Sequence, residues 1–578
     1  MNPGVKPGRR LSSAKMRAGL CAPVPAPLIG ADEGSGENLT PGFLPTDDCR
    51  SRRPRLRWGG NQRGWAFDMN QENQGLDVDL RGGRLARNTF LNFFGLFLPK
   101  VAAFATMPFT IRALGTDRFG ILSLVLVVFG YFTIFDLGLA MATTRFIAAA
   151  LGRKDFEAVP RYFWSTVIFQ LVLGLAGTVL MAFTTPLLVE HVLKIPPAFI
   201  PEAKTSLFLL ALSLPVSLIT ITFRGALEAR QRFDLVNLVK APTSVLNYVL
   251  VLAGALAGIG LAGITVLLLV IDVLTLVAYA RFTLRAYPGL GGRMGFHKSA
   301  LREVLGFGLW AMVANGLIPI IATLERFLIG ALISAGAVTY YTAASEAVMS
   351  LTIFPYSLMM TLFPTFSALS GEGDAGRKDR IFGQSFKFLF LLSGLITVGL
   401  VFFAGPILTV WLGRDFAVQS AAVLRILAVG FFMNALANIP YGYLMGIGRS
   451  DIVAKLQTAE LVFYAPLAWI IIRSWGIEGA AVAWTVRVAI DMLLLQGAAF
   501  RLGDLKKTSL LERGTVGAGA AFLVLVVIGF LLRPTIPGIA AFVTLIALVL
   551  VFLWKQTLTT EERQWILARI PSSLRSGR

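Results

Sequence analysis

Cysteine is almost missing from this chain. Its two copies, Cys21 and Cys49, fall in the first fifty residues, so everything after Cys49 is free of disulfides and thiolate metal ligands. Histidine is equally scarce: His191 and His297 both fall between apolar runs, which excludes a His-rich zinc site and a His-based catalytic dyad. Charged residues make up 15% of the chain, where a soluble protein carries about a quarter. No loop between apolar runs gathers the acids or histidines that a membrane polymerase, ligase or glycosyltransferase needs. The stretch "GEGDAGRK" (371–378) resembles a phosphate-binding loop, but Arg377 stands where the lysine is required and no strand precedes it. The expectation is therefore a protein with no catalytic residues, no metal and no cofactor.

What is present is apolar length. The chain is 55% hydrophobic with a mean hydropathy of +0.70, and runs of about 20 apolar residues recur along it, the signature of membrane spans. Fourteen are expected, at 89–111, 118–142, 161–185, 204–223, 241–258, 260–280, 303–325, 337–363, 384–404, 421–444, 456–473, 477–500, 514–532 and 536–554. The net charge of +20 is carried mainly by loops and by the N-terminal tail. Placing the N-terminus in the cytoplasm collects Arg145, Arg153, Lys154, Arg230, Lys298, Lys387 and Lys506 on the inner side and leaves fewer cations, among them Arg112, Lys194, Arg326 and Arg473, outside. Both termini are then cytoplasmic, the protein is multi-pass in the inner membrane, and the basic excess calls for no nucleic acid. Residues 1–84 read as a disordered basic tail rich in Pro, Gly, Ser and Arg, with Met69 as the favoured start and the acidic triplet at Asp77–Asp79 as a weak metal-nucleotide echo.

The chain also repeats itself. "RGALEARQRFDLV" (224–236) aligns without a gap to "YGYLMGIGRSDIV" (441–453), "GIGLAGITV" (258–266) to "SWGIEGAAV" (474–482), and "IDVL" (271–274) to "IDML" (490–493). An even number of spans per repeat makes the copies parallel, a design of secondary transporters with the site between the halves. The fold expected is an all-α polytopic membrane protein: an N-lobe over 85–285, a C-lobe over 300–502, two further helices over 510–556 and a C-terminal tail over 557–578.

"LARNTFLNFFGLFLPKVAAFATMPFTIRALGTDRFGILSLVLVVFGYFTIFDLGLAMATTRFIA" (85–148) resembles the opening of the polysaccharide-biosynthesis, O-antigen-type flippases of lipid-linked oligosaccharide. "LERFLIGALISAGAVTYYTAASEAV" (324–348) is similar to the start of their second lobe. Both belong to the multidrug/oligosaccharidyl-lipid/polysaccharide exporter superfamily. Glu325-Arg326 stands where the family often has Asp-Arg, and fourteen spans exceed its usual twelve, which keeps lipid II flippase-like relatives in view. The resemblance implies a flippase for polyprenyl-pyrophosphate oligosaccharide in surface-polysaccharide biosynthesis, with the bilayer, a polysaccharide polymerase and glycosyltransferases as partners. A proton- or sodium-coupled drug exporter is the rival reading, and a scaffold for membrane glycosyltransferases a third.

Charges inside the spans narrow the choice, because each costs about 2.5–3.5 kcal/mol on insertion scales and needs a partner or a wet cavity. Lys100, after Pro99, and Arg487 are the deepest cations, one per lobe. They are the expected pyrophosphate and glycan contacts, with Arg425 and Arg145 where cargo comes in or leaves, since cations make charge-assisted bonds to phosphate. Asp136, Asp272, Glu346, Glu460 and Asp491 are the expected coupling or gating carboxylates, for H+ or Na+. Bland readings stand beside these. Arg487 and Asp491, four apart, can neutralise each other; Asp136 with Arg145 can close a lobe; Tyr340-Tyr341 can mark the interfacial belt.

Overall fold

The computed structural model describes residues 82–556 except 292–293, 373–374, 503–504, 506–512 and 533–534, together with residue 563. The expectations for the N-terminal tail, Met69 and Asp77–Asp79 lie outside the described residues, as does nearly all of 557–578.

Among the described residues there is no strand, and each of the fourteen expected spans is helical. The first half consists of α1 (Gly82–Leu114), α2 (Thr116–Phe132), α3 (Leu139–Gly152), α4 (Ala158–Leu187), α5 (Ile200–Ala211), α6 (Ser213–Ala229), α7 (Phe233–Leu256) and α8 (Gly260–Ala286). The second runs α9 (Lys298–Leu332), α10 (Ala335–Leu351), α11 (Ile353–Glu372), α12 (Ala375–Leu412), α13 (Arg414–Gly446) and α14 (Ser450–Leu502); α15 (Arg513–Leu531) and α16 (Ile536–Gln556) follow. Nine segments among the described residues are long and apolar enough to cross a bilayer by length and composition. The bilayer forces this: backbone polar groups must be satisfied within the segment, which a helix does.

Single spans are built from two pieces in places. A 3-10 turn at Thr133–Asp136 and left-handed Leu137 and Gly138 separate α2 from α3, and at the matching place in the second half α10 ends at Leu351 before α11. Other matched features bear the repeat out. Gly260 (φ 70°) corresponds to Gly476 (φ 62°), and Gln231 (φ 58°) to Gly448 (φ 78°). Arg232 pairs with Asp234 at 2.9 Å and Arg449 with Asp451 at 3.2 Å. Gly476, with ψ −141°, breaks α14 so that two spans lie side by side. The pair α15–α16 packs on α12, where Phe402 stacks on Phe542 at 3.7 Å and Gly394 leaves room for the Phe522 ring.

The halves meet most closely where α2 and α10 begin. A Cβ on Gly120 would lie 1.8 Å from the Ala335 carbonyl oxygen, so the backbones approach there as only glycine permits; one on Gly336 would lie 2.7 Å from the Asp117 carboxylate. Thr339 Oγ1 donates to the Thr116 carbonyl at 2.6 Å. The segment after α4 threads into the same seam: Lys194 N donates to Gly330 O at 2.8 Å, Ala335 N to Lys194 O at 3.4 Å, and Lys194 Nζ to Leu332 O. α9 is shared between the halves. Its first turns pack on α3 and α4, through Val304 against Leu139 and Ala142 and through Glu303, which accepts from the Tyr162 hydroxyl at 2.8 Å; its last turns pack on α14.

Because the membrane region has no native cysteine, this seam can be tested directly. With Cys21 and Cys49 replaced by Ser, the pair Asp117→Cys and Gly336→Cys is expected to form an intramolecular disulfide under mild oxidation, read as resistance to thiol labelling. Full labelling of both cysteines would show the seam to be open.

Candidate functional site

Glu346 lies on α10 where the two halves meet. Its carboxylate accepts from Arg326 Nη2 of α9 at 2.8 Å and stands 3.9 Å from Lys100 Nζ of α1. Two cations, one from each half, thus converge on one carboxylate, and the cluster keeps one positive charge in excess. Lys100 retains 39% of its side-chain exposure although it sits at mid-span. A charge at that depth needs an opposite charge or a polar space within reach, and Glu346 supplies the first. Tyr248 of α7 stands near the same carboxylate, and Tyr131 of α2 meets Phe327 edge-on at 5.8 Å beside Arg326. Pro99 precedes Lys100 and lies inside α1, where a missing N–H donor loosens the helix.

A second cluster is enclosed within the second half. The Tyr464 hydroxyl donates to Glu325, and both residues are 2% exposed. The Arg487 guanidinium lies 5.3 Å from the centre of the Tyr464 ring and 3.6 Å from Glu460. Tyr341 faces the same group. Geometry follows from the break in α14: Tyr464 and Arg487 are almost equidistant in sequence from Gly476, so the fold brings them to one depth. A third cluster stabilises the break between α2 and α3. Asp136 Oδ1 accepts from Gln170 Nε2 at 2.8 Å and from Ala140 N at 3.3 Å, capping α3. Gln170 is fully buried and accepts from Thr222.

Several expectations change. Arg326, placed in an outer loop by the sequence, lies inside α9, because the apolar run resumes after it as "FLIGAL" and the helix continues to Leu332. Lys387, expected in an inner loop, is buried within α12. Arg487 forms an ion pair with Glu460 on the neighbouring span and also acts on Asp491 one turn away. Its charge is taken up within the second half, whereas Lys100 reaches across to Glu346. Arg224, itself paired with Glu228 at 3.2 Å, is a cation acting on Asp136. Tyr341 is 3% exposed and so is no part of an interfacial belt. Asp272 lies apart, on α8 beside Ser213. Arg145 is exposed on α3. Arg425 is half-buried in α13, its Nε with no protein partner. The residues that the sequence reading missed are Arg326 as a site cation, Tyr341, Tyr464 and Gln170. For Arg326 a signal existed, the charge pair Glu325-Arg326 set between two apolar runs.

Comparison with known proteins agrees with this architecture. A family model described as "Polysaccharide biosynthesis protein" matches residues 85–370, and one described as "MatE" matches 311–470. A Shigella flexneri protein named "Putative O-antigen transporter" is 28% identical over 71% of this chain and 97% of its own length. Two solved structures share the fold. One, "Lipid II flippase MurJ, inward closed conformation", has a TM-score of 0.64 at 14% identity, covering 81% of this chain and 98% of that one. The other, a "multidrug resistance MATE family transporter of the MOP superfamily" in an inward-facing conformation, has a TM-score of 0.61 at 18% identity, covering 72% and 99%.

The central triad makes a stability prediction. Removing one partner of a buried ion pair strands the other, at about 3–5 kcal/mol, whereas an exposed pair contributes under about 1 kcal/mol. Glu346→Ala, which leaves the mostly buried Arg326 without an acceptor, is expected to cost about 3 kcal/mol. Lys100→Ala is expected to cost less than about 1 kcal/mol. Thermal unfolding of the purified variants in detergent, with Lys100→Ala the milder, is the check.

Proposed function

We infer the activity of this chain as that of a member of the multidrug/oligosaccharidyl-lipid/polysaccharide exporter superfamily, a multi-pass membrane transporter and not an enzyme: it flips a polyprenyl-pyrophosphate-linked oligosaccharide across the cytoplasmic membrane for surface-polysaccharide biosynthesis. The observation that carries this reading is the convergence of Lys100 and Arg326, from opposite halves, on Glu346. A pyrophosphate offers what that carboxylate offers, with more charge and more acceptor oxygens, so it competes for the same two cations. The apolar tail stays in the bilayer while the headgroup occupies a wet space between the halves.

With the N-terminus in the cytoplasm, the sealed seam at Gly120 and Ala335 lies at the outer face and the cargo approaches from inside. Cargo capture frees Glu346, which then takes up a proton or a sodium ion; opening the seam and closing the inner side completes alternating access. Arg145 and Arg425 are the remaining candidates for headgroup contacts along the path. A polymerase and glycosyltransferases would supply and consume the cargo at the two faces.

The test is leaflet accessibility of a labelled polyprenyl-pyrophosphate oligosaccharide in vesicles holding the purified protein, with a cationic dye run in parallel. Protein-dependent crossing of the lipid-linked sugar is expected, with loss of crossing in the double variant Lys100→Ala, Arg326→Ala and arrest by the disulfide between positions 117 and 336. Gradient-driven movement of the dye without sugar crossing would instead make the chain a cation-coupled drug exporter.

A further inference from the structure

We propose that Arg487 is a positioning residue: it is the tethered counter-ion of a buried clamp between α9 and the two halves of α14, and through Glu325 this clamp aims Arg326 at the cargo. The proposal rests on the reading of Lys100 and Arg326 given above and assigns Arg487 a role outside the cargo path.

Glu325 and Arg326 are consecutive in α9, and neighbouring helical residues point about 100° apart. If Glu325 is held inside the second half, Arg326 is turned toward the interface between the halves. Glu325 is held: it is 2% exposed and accepts from the equally buried Tyr464 hydroxyl. Tyr464 is in turn covered by the Arg487 guanidinium, 5.3 Å from its ring centre. This is a cation–π contact in a desolvated place, where such contacts are strongest.

Charge balance explains why an arginine is there. Carboxylates from three spans face this space, Glu325 on α9, Glu460 on the first half of α14 and Asp491 on the second, and Arg487 is the cation that all three share. Glu460 is 7% exposed, and its Oε1 stands 3.6 Å from Arg487 without a hydrogen-bond partner. Arg487 Nε is likewise buried without one. The attraction between them is therefore mainly that of charge, and bond geometry adds little. A fixed guanidinium on a helix does here what a diffusible cation would otherwise have to do, and unlike such an ion it cannot leave during the transport cycle.

Two physical consequences separate this role from direct cargo contact. Removing Arg487 strands buried carboxylates, which is costly, whereas removing a cation and a carboxylate together restores the net charge and is often tolerated. A cargo-binding cation cannot be replaced by deleting an acid. A loosened clamp, for its part, weakens capture of cargo through Arg326 without blocking the motion that carries it.

The experiment compares Arg487→Met, the pair Arg487→Met with Glu460→Gln, and Tyr464→Phe. Each is measured for thermal unfolding in detergent and for crossing of labelled polyprenyl-pyrophosphate oligosaccharide in vesicles. The single Arg487→Met variant is expected to lose thermal stability and transport. The double variant is expected to regain both, with transport of the same order as wild type. Lys100→Met combined with Glu460→Gln is expected to stay as inactive as Lys100→Met alone. Tyr464→Phe is expected to raise the half-saturating cargo concentration several-fold while keeping the maximal rate. Recovery of stability without transport in the double variant would place Arg487 on the cargo and overturn the proposal, as would recovery of neither, or a Tyr464→Phe defect confined to the maximal rate. If the wild-type protein moves no lipid-linked sugar, the flippase reading fails. The unfolding measurements then still decide whether the clamp exists.

Discussion

A charge inside a bilayer cannot be left alone, and most of what distinguishes this structure follows from that constraint. Lipid offers neither water nor counter-ions, so each ionised side chain in a span needs an opposite charge, a hydrogen-bonding group or a wet space within reach. Three clusters answer it in three ways. Asp136 is satisfied by an amide side chain and a helix N-terminus, Arg487 by a ring and carboxylates in a closed interior, and Glu346 by two cations at the junction of the halves. Only the third lies at the junction of the two halves. A polar cluster within one half is structural by position, while one shared between halves depends on how the halves dock.

The seam at α2 and α10 shows a complementary device. Movement of one half against the other requires an interface that is tight in one state yet holds few strong bonds. Backbone packing at Gly120, the contact of Gly336 with Asp117, a few hydrogen bonds to carbonyls and the pairing of Lys194 with residues 330–335 meet that need. Van der Waals packing of small residues is the main source of helix association in lipid, and it vanishes over a small displacement.

Repetition and departure from it have separate causes. The turns at Gln231 and Gly448 and at Gly260 and Gly476 repeat because each half has the same topology to complete, and a left-handed turn is set by local backbone geometry alone. The charged clusters do not repeat as wholes. Asp136 breaks a span in the first half, while the second half carries Glu346 at another depth; Asp491 has its counterpart in Asp272, but the Arg487–Glu460 pair has none among the described residues. Each half has the same scaffold, but the chemistry is divided between them.

The sequence by itself determined the spans, their even number per repeat and the family resemblance, because bilayer thickness fixes the length of an apolar run and a backbone cannot cross lipid in another form. It also singled out Lys100, Glu346, Glu460 and Arg487 as charges that needed an explanation. Which charge meets which was decided by tertiary structure alone. Lys100 and Glu346 are brought together by the docking of two halves, Arg487 and Glu460 by the break at Gly476, and no periodicity in either segment encodes those approaches. Arg326 is the clearest case. Hydropathy ended the span at Glu325, because two adjacent charges look like the edge of a membrane. The fold instead continues the helix and places one charge inward and the other between the halves, since each finds there the partner that lipid could not provide.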